Sequence, residues 1–215
     1  VIPNGYDEVI FDGIAKEVEE ARNEVTTTES KKIILHSGVI YPHERDPTAL
    51  FQALSQLKRD GKISASTLEI RLRATGHDEL YQPMLENLDI DDIVSLLPPI
   101  EHKEALKEMF AVDGLLLMQS EGCNYQIPAK AYEYIRVKKP IIALTPIEGD
   151  TAKLLTKANT SVLIASLTES SDIATKLHTY LKRNLASLNM CVDSNLYSRQ
   201  SQAKNFENII SKMIT

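Results

Sequence analysis

The chain is poor in the residues on which several common chemistries depend. Its two cysteines, Cys123 and Cys191, show neither metal-ligand nor CxxC spacing. Such thiols are expected to be free, in a reducing compartment. No apolar run approaches the roughly 18 residues that a spanning helix needs. The opening VIPNGYDEVIF carries no signal-peptide pattern, and the expected location is cytoplasmic. Positive charge is also short. Lys and Arg number 24 against 30 Asp and Glu, a net charge of −6. That argues against nucleic acid as a partner, since it would favour a basic surface.

The eight glycines are scattered, so no strand is followed by GxGxxG or GxxxxGK[ST]. Ordinary dinucleotide enzymes and P-loop NTPases are thereby disfavoured. A GxSxG elbow for serine hydrolysis is absent as well. His36, His43, His77, His102 and His178 form no HxxxH or similar ligand pair. Each is expected at the surface or at a strand end, with no metal.

What remains is an ordinary globular composition, 43% apolar and 25% charged over 215 residues. That length suits one large domain or one and a half. Short apolar runs alternate with helical patterns. Strands are expected at 33–37, 68–73, 93–97, 114–118, 141–144 and 161–165. Helices are expected near 47–62, 78–88 (with Pro83 inside), 102–112, 129–139, 150–158, 171–183 and 201–214, the last after a linker-like stretch. Repeated strand–helix units with apolar strands predict an α/β fold. The expected architecture is a Rossmann-like, doubly wound parallel sheet of about six strands. Ligands of such sheets bind at the carboxyl ends of the strands. The loops at 38–46, 76–78, 98–101, 119–127 and 145–150 are therefore the places to look.

One stretch contains a misfit. QIPAKAYEYIRVKKPIIAL, residues 126–144, reads as a helix opened by Pro128 and closed by Pro140 before a buried strand. Lys130 then falls in the first turn, at the positive end of the helix dipole. Glu133 follows on the same face. The pair reads either as a surface i,i+3 ion pair or as a site where a phosphate offsets the dipole repulsion. Gly122 and Asn124, in the loop before, tolerate unusual backbone angles. Arg45, in the loop after the first strand, is a second candidate cation or else a solvated partner of Asp46. Pro98 and Pro99 offer backbone carbonyls at the end of the third strand.

Taken together, these segments resemble the C-terminal, donor-binding domain of GT-B glycosyltransferases of family 4. VIPNGYDEVIF resembles the IPNGVD segment that opens that domain. HSGVIYPHERDPTALFQAL resembles its first strand, following loop and helix. EALKEMFAVDGLLLMQS and IPAKAYEYIRVKKPIIAL resemble its later segments, in the right order. The resemblance covers essentially the whole chain and implies a second half of a longer, two-domain enzyme. It further implies a nucleotide-sugar-binding domain over residues 1–190, and a helical segment over 191–215 that packs toward the other domain.

Carried over by residue, the resemblance implies that Glu133 binds the ribose. Arg45 and Lys130 bind the donor diphosphate. The backbone of Gly122, Cys123, Asn124 and Tyr125 approaches the donor sugar and phosphate, while Pro99 and Ile100 lie near the base. No catalytic residue is assigned, and neither cofactor nor metal is required. Two departures stand out. Tyr125 occupies the place of the first glutamate of the E-x7-E motif, with Glu121 four residues earlier, and Val39 replaces a common arginine. The implied reaction is retaining sugar transfer from a nucleotide-diphospho-sugar to a glycan or lipid-linked acceptor. The other domain supplies the acceptor site, and the full enzyme is a candidate for peripheral membrane association. A nucleotide-sugar 2-epimerase and a non-catalytic binding domain are the alternatives.

Overall fold

The computed structural model describes residues 3–22, 31–158, 161–182 and 194–214. Cys191 and most of the expected linker lie outside them. Six parallel strands form one sheet: β1 Lys32–Ser37, β2 Leu68–Arg73, β3 Val94–Leu97, β4 Gly114–Met118, β5 Ile141–Leu144 and β6 Val162–Ala165. Their order is β3-β2-β1-β4-β5-β6. This is the doubly wound order, with its reversal between β1 and β4. The expected strands stand within two residues of their observed bounds.

Eight α-helices complete the described chain: α1 Glu8–Arg22, α2 Thr48–Arg59, α3 Asp78–Asn87, α4 His102–Ala111, α5 Ala129–Val137, α6 Asp150–Lys157, α7 Ser170–Lys182 and α8 Arg199–Ile214. Strands β4 and β5 have no polar face. In β4 and β5, Leu116, Met118, Ile142 and Leu144 pack on one side with α2, α3 and α7. Leu115, Leu117, Ile141 and Ala143 pack on the other with α1, α4, α5 and α6. The two-residue period thus feeds two cores, and each fully buried leucine or isoleucine contributes about 1.5–3 kcal/mol.

Helix α1 replaces what the sequence reading treats only as an opening segment. Asp7 caps it by accepting from the amides of Val9 (3.1 Å) and Ile10 (3.4 Å). Phe11 and Ile14 are buried against α4 and α5. Pro83 does not break α3. Tyr81 and Leu85 anchor that helix in the core, and the Tyr81 hydroxyl donates to the Ile40 carbonyl at 3.0 Å.

The expected linker is tied down where it is described. Residues Ser194–Tyr197 form a 3₁₀ turn, and Ser198 makes a parallel bridge with Tyr6. The Tyr6 amide donates to the Tyr197 carbonyl (3.2 Å), and the Arg199 amide to the Tyr6 carbonyl (2.8 Å). Beyond it, α8 exposes Phe206, Ile209, Ile210, Met213 and Ile214.

Candidate functional site

The β1–β4 ladder pairs Ile34 with Gly114 and Leu35 with Leu115. Past that point side chains take over the backbone bonding. The His36 Nδ1 lies 3.0 Å from the Leu116 carbonyl oxygen. The Tyr134 hydroxyl donates to the same oxygen at 3.4 Å and accepts from the Ser37 amide at 3.3 Å. Burial raises the Tyr134 phenol well above its ordinary range, so it stays protonated. These two side chains bridge β1 and β4 beside the crevice expected at the strand-order reversal.

Lys130 reaches into this crevice. Pro128 is the N-cap of α5, with extended backbone angles, and Lys130 is the second helical residue. Its ammonium leaves the helix axis. It donates to the Ser37 carbonyl at 2.8 Å and lies 3.2 Å from the His36 Nε2. Because Nδ1 faces a carbonyl, that nitrogen carries the proton, and Nε2 is left to accept from the ammonium. The surface-pair reading of Lys130 with Glu133 is therefore overturned, since Lys130 makes its bonds inward. Gly38 leaves room for this, with a φ of +114°. A β-carbon there would stand 3.2 Å from the Lys130 Nζ.

Two cations meet here. Burial, and then the charge of Arg45, push the Lys130 ammonium down to about 7, while Glu133 acts weakly the other way. Arg45 donates to the Val39 carbonyl at 2.6 Å and lies over the Tyr41 ring at 5.3 Å. It does not pair with Asp46, whose carboxylate accepts from Thr48 instead. Among the described residues neither Lys130 nor Arg45 has a carboxylate within ion-pair distance. His36, buried between these cations, is held well below its ordinary range and is neutral. The corner therefore carries uncompensated positive charge in a partly dry setting, which is the electrostatic requirement of an anion site.

The 119–127 loop forms the other wall. Gln119, buried, donates from Nε2 to the carbonyls of Cys123 and Gln126, both at 2.6 Å. The Ser120 amide donates to the Glu44 carbonyl at 2.8 Å and fastens this loop to the Arg45 loop. Residues Glu121–Cys123 are a 3₁₀ turn. Gly122 and Asn124 do not use left-handed angles; Gly38 and Gly76 do. Within the turn, the amides of Cys123 and Asn124 already donate to Ser120 and Glu121. Asn124 also accepts from the Asp150 amide at 3.3 Å, joining the loop after β5. Tyr125 is 90% exposed. Glu133 is half-buried, with no hydrogen-bond or ion-pair partner among the described residues.

Arg45, Glu44, Gln119, Cys123 and Pro128 help line a recess of about 110 Å³. Its size suits a phosphate rather than a whole nucleotide sugar. Lys130 is not one of its lining residues; its ammonium is drawn toward β1. Residues of the same loops, among them His43, Asp46 and Ser120, border a more open cavity of about 460 Å³.

At the third strand, the Pro98 carbonyl is not available as the sequence reading expects. Arg73 donates to it from Nη1 at 2.9 Å, and holds the Glu108 carboxylate with Nε and Nη2, both at 2.9 Å. Pro99 and the partly exposed Ile100 follow this clamp. Sequence reasoning passed over His36, Gln119, Gly38 and Arg73. The one local signal was HSG, a polar pair and glycine ending the apolar β1 run. Among the described residues no cluster of His, Cys, Asp or Glu could hold a metal ion, and no helix is long and apolar enough to cross a membrane.

No family model matches the chain, and no curated protein matches it in sequence. Solved structures do match it in fold. A glycosyltransferase from Rickettsia africae ESF-5 superposes with a TM-score of 0.67 at 16% identity, over 100% of this chain and 57% of its own. A UDP-forming α,α-trehalose-phosphate synthase from Burkholderia xenovorans, in complex with glucose-6-phosphate, gives 0.68 at 14%, over 96% and 50%. Anabaena HepE, in complex with UDP and glucose, gives 0.65 at 15%, over 99% and 56%. The chain spans about half the length of these structures. Sheet order, strand count and this coverage together give the chain the fold of one half of a GT-B glycosyltransferase.

Proposed function

We propose that the chain is the donor-binding half of a glycosyltransferase that takes a nucleotide-diphospho-sugar. The observation that carries this reading is the unneutralised pair Lys130 and Arg45 at the β1–β4 reversal of a GT-B half. In that frame the diphosphate sits against the Lys130 ammonium, Arg45 and the start of α5. Glu133, without a partner of its own among the described residues, accepts from the ribose hydroxyls. Pro99 and Ile100 meet the base. Gly122 and Tyr125 face the sugar, since the Cys123 and Asn124 amides are engaged in the turn. The likeness to structures holding UDP, or UDP and glucose, supports a nucleotide donor.

The chemistry follows from the charges. As the sugar leaves, its electrons pass to the diphosphate, whose negative charge grows. Preplaced cations in a crevice stabilise that charge more than they stabilise the bound donor. The reaction class we propose is transfer with retention to a glycan or lipid-linked hydroxyl. The acceptor site lies in the half that this chain does not contain, and the complete enzyme works in the cytoplasm, in contact with the membrane surface. This scheme has no step that needs a metal.

Calorimetric titration of the chain with UDP, GDP, ADP and dTDP tests the proposal. One of them is expected to bind, and Lys130→Ala to weaken it by about 10- to 100-fold, the worth of a hydrogen bond to a charged group. No heat from any of the four at millimolar concentration would sink the donor-site reading.

A further inference from the structure

His36 does more than fill space at the end of β1. It is fully buried, and both ring nitrogens are engaged, one by β4 and one by α5. A buried imidazole is an expensive way to satisfy one carbonyl, because the Tyr134 hydroxyl already reaches the Leu116 oxygen. What the imidazole adds is a second acceptor for the Lys130 ammonium beside the Ser37 carbonyl.

The kind of acceptor matters. A carboxylate in this place would hold the lysine equally well, but would cancel its charge. A neutral ring nitrogen bonds the ammonium and leaves the full positive charge for an anion. Burial chiefly keeps the ring neutral, with the charge of Lys130 next and that of Arg45 weaker, against the backbone of Leu116 and Gly38, which favours a further proton. Among the described residues, Glu133 is the acidic group that acts on Lys130, and the protonated Tyr134 hydroxyl accepts from the neighbouring Ser37 amide.

We propose that His36 is a positioning residue for the anion site, a neutral acceptor that favours the charged form of Lys130 and holds its side chain turned toward the β1–β4 crevice. The proposal rests on the donor-site reading and adds a specific role to it. Without Nε2 the ammonium keeps only the Ser37 carbonyl. It then loses its proton at a lower pH, and affinity for a diphosphate diester, whose own charge is constant through neutrality, falls off earlier on the alkaline side.

Two polar replacements separate the two nitrogens. In His36→Asn the amide can still donate to the Leu116 carbonyl but is too short to meet Lys130. In His36→Gln an acceptor remains near the position of Nε2. The measurements are titration calorimetry with the nucleotide-diphospho-sugar that the native chain binds, from pH 6 to 9, and the Lys130 side-chain NMR titration without ligand. For His36→Asn we expect both midpoints to move down by about one pH unit, and affinity at pH 8 to fall about tenfold, the scale of one lost hydrogen bond to a charge. For His36→Gln both should stay near the native values.

Equal midpoints in His36→Asn and the native chain would overturn the proposal, as would equal shifts in both variants. If the native chain bound no nucleotide sugar, the donor reading would fall. The role of His36 would still be decided by the ligand-free Lys130 titration. Were either variant unfolded, ¹⁵N shifts of the native imidazole would decide: a bare Nε2 and a protonated Nδ1 through neutrality are expected, and a protonated Nε2 refutes the proposal.

Discussion

One ammonium should give stability and donor affinity opposite slopes with pH. Lys130 loses its proton near 7 in the folded chain, against an ordinary 10.5. Between those values the unfolded chain holds more protons, so stability rises as the pH rises. From pH 7 to pH 9 the gain is about 2 kcal/mol, obtained by integrating the proton difference at this one site. For a chain of this size that is about 4–8 °C in melting temperature. Donor binding runs the other way. The ammonium is half charged at pH 7 and about one part in a hundred charged at pH 9, so affinity for a constant-charge diphosphate falls by up to about 50-fold. Comparison with Lys130→Met removes the contributions of other groups. Thermal melts across pH 6–9 should show a positive slope in the native chain that is absent from the variant. A native slope within about 0.5 kcal/mol of the variant's over pH 7–9 would refute the assignment of a buried, charge-strained lysine.

Two further outcomes follow from geometry. Gly38→Ala places a methyl group 3.2 Å from the Lys130 Nζ, at a φ of +114°. It should cost about 1–3 kcal/mol in a urea melt and also weaken nucleotide binding; Gly61→Ala, also at positive φ but with open space around it, should affect stability alone. Binding unchanged in Gly38→Ala would separate that glycine from the site. Arg73→Met removes the two-pronged hold on Glu108 and the bond to the Pro98 carbonyl, with Arg71 at 3.5 Å left as partial compensation. Denaturation should show a loss of about 2–4 kcal/mol, and competition among nucleotides should show weaker discrimination between bases. Unchanged stability would mean that the clamp contributes nothing net to the native fold.

The sheet was legible because two of its strands, β4 and β5, are buried on both sides. GLLLM and IIAL can only be interior strands, and the helices between them carry their apolar residues at helical spacing. The place of Lys130 in the first turn was legible too, from the prolines on either side. Its role was not fixed by that place. A lysine has enough reach to leave the helix end, and its partners on β1 lie 93 and 94 residues earlier. No local pattern announces such a meeting. His36 hid for the same reason: a histidine closing an apolar run looks like any strand end until β4 and α5 are set against it. The Pro98 carbonyl was misjudged because its partner, Arg73, lies on the neighbouring strand. Helix α1 is written in the sequence by Asp7 as cap with Phe11 and Ile14 at helical spacing.

The clasp between Tyr6 and the 194–199 segment bears on the order of assembly. The bond from the Tyr6 hydroxyl to the Ser194 carbonyl joins residues 188 apart in the chain. Arg199 reaches further still, to the Gly5 carbonyl 194 residues earlier, and closing loops of this length is costly in entropy, although the cost grows only with the logarithm of length. The strand pairs and the Lys130 corner close shorter loops and can form first. The clasp is then a late event in folding. A nascent chain can complete its anion corner while its last helix is still unmade.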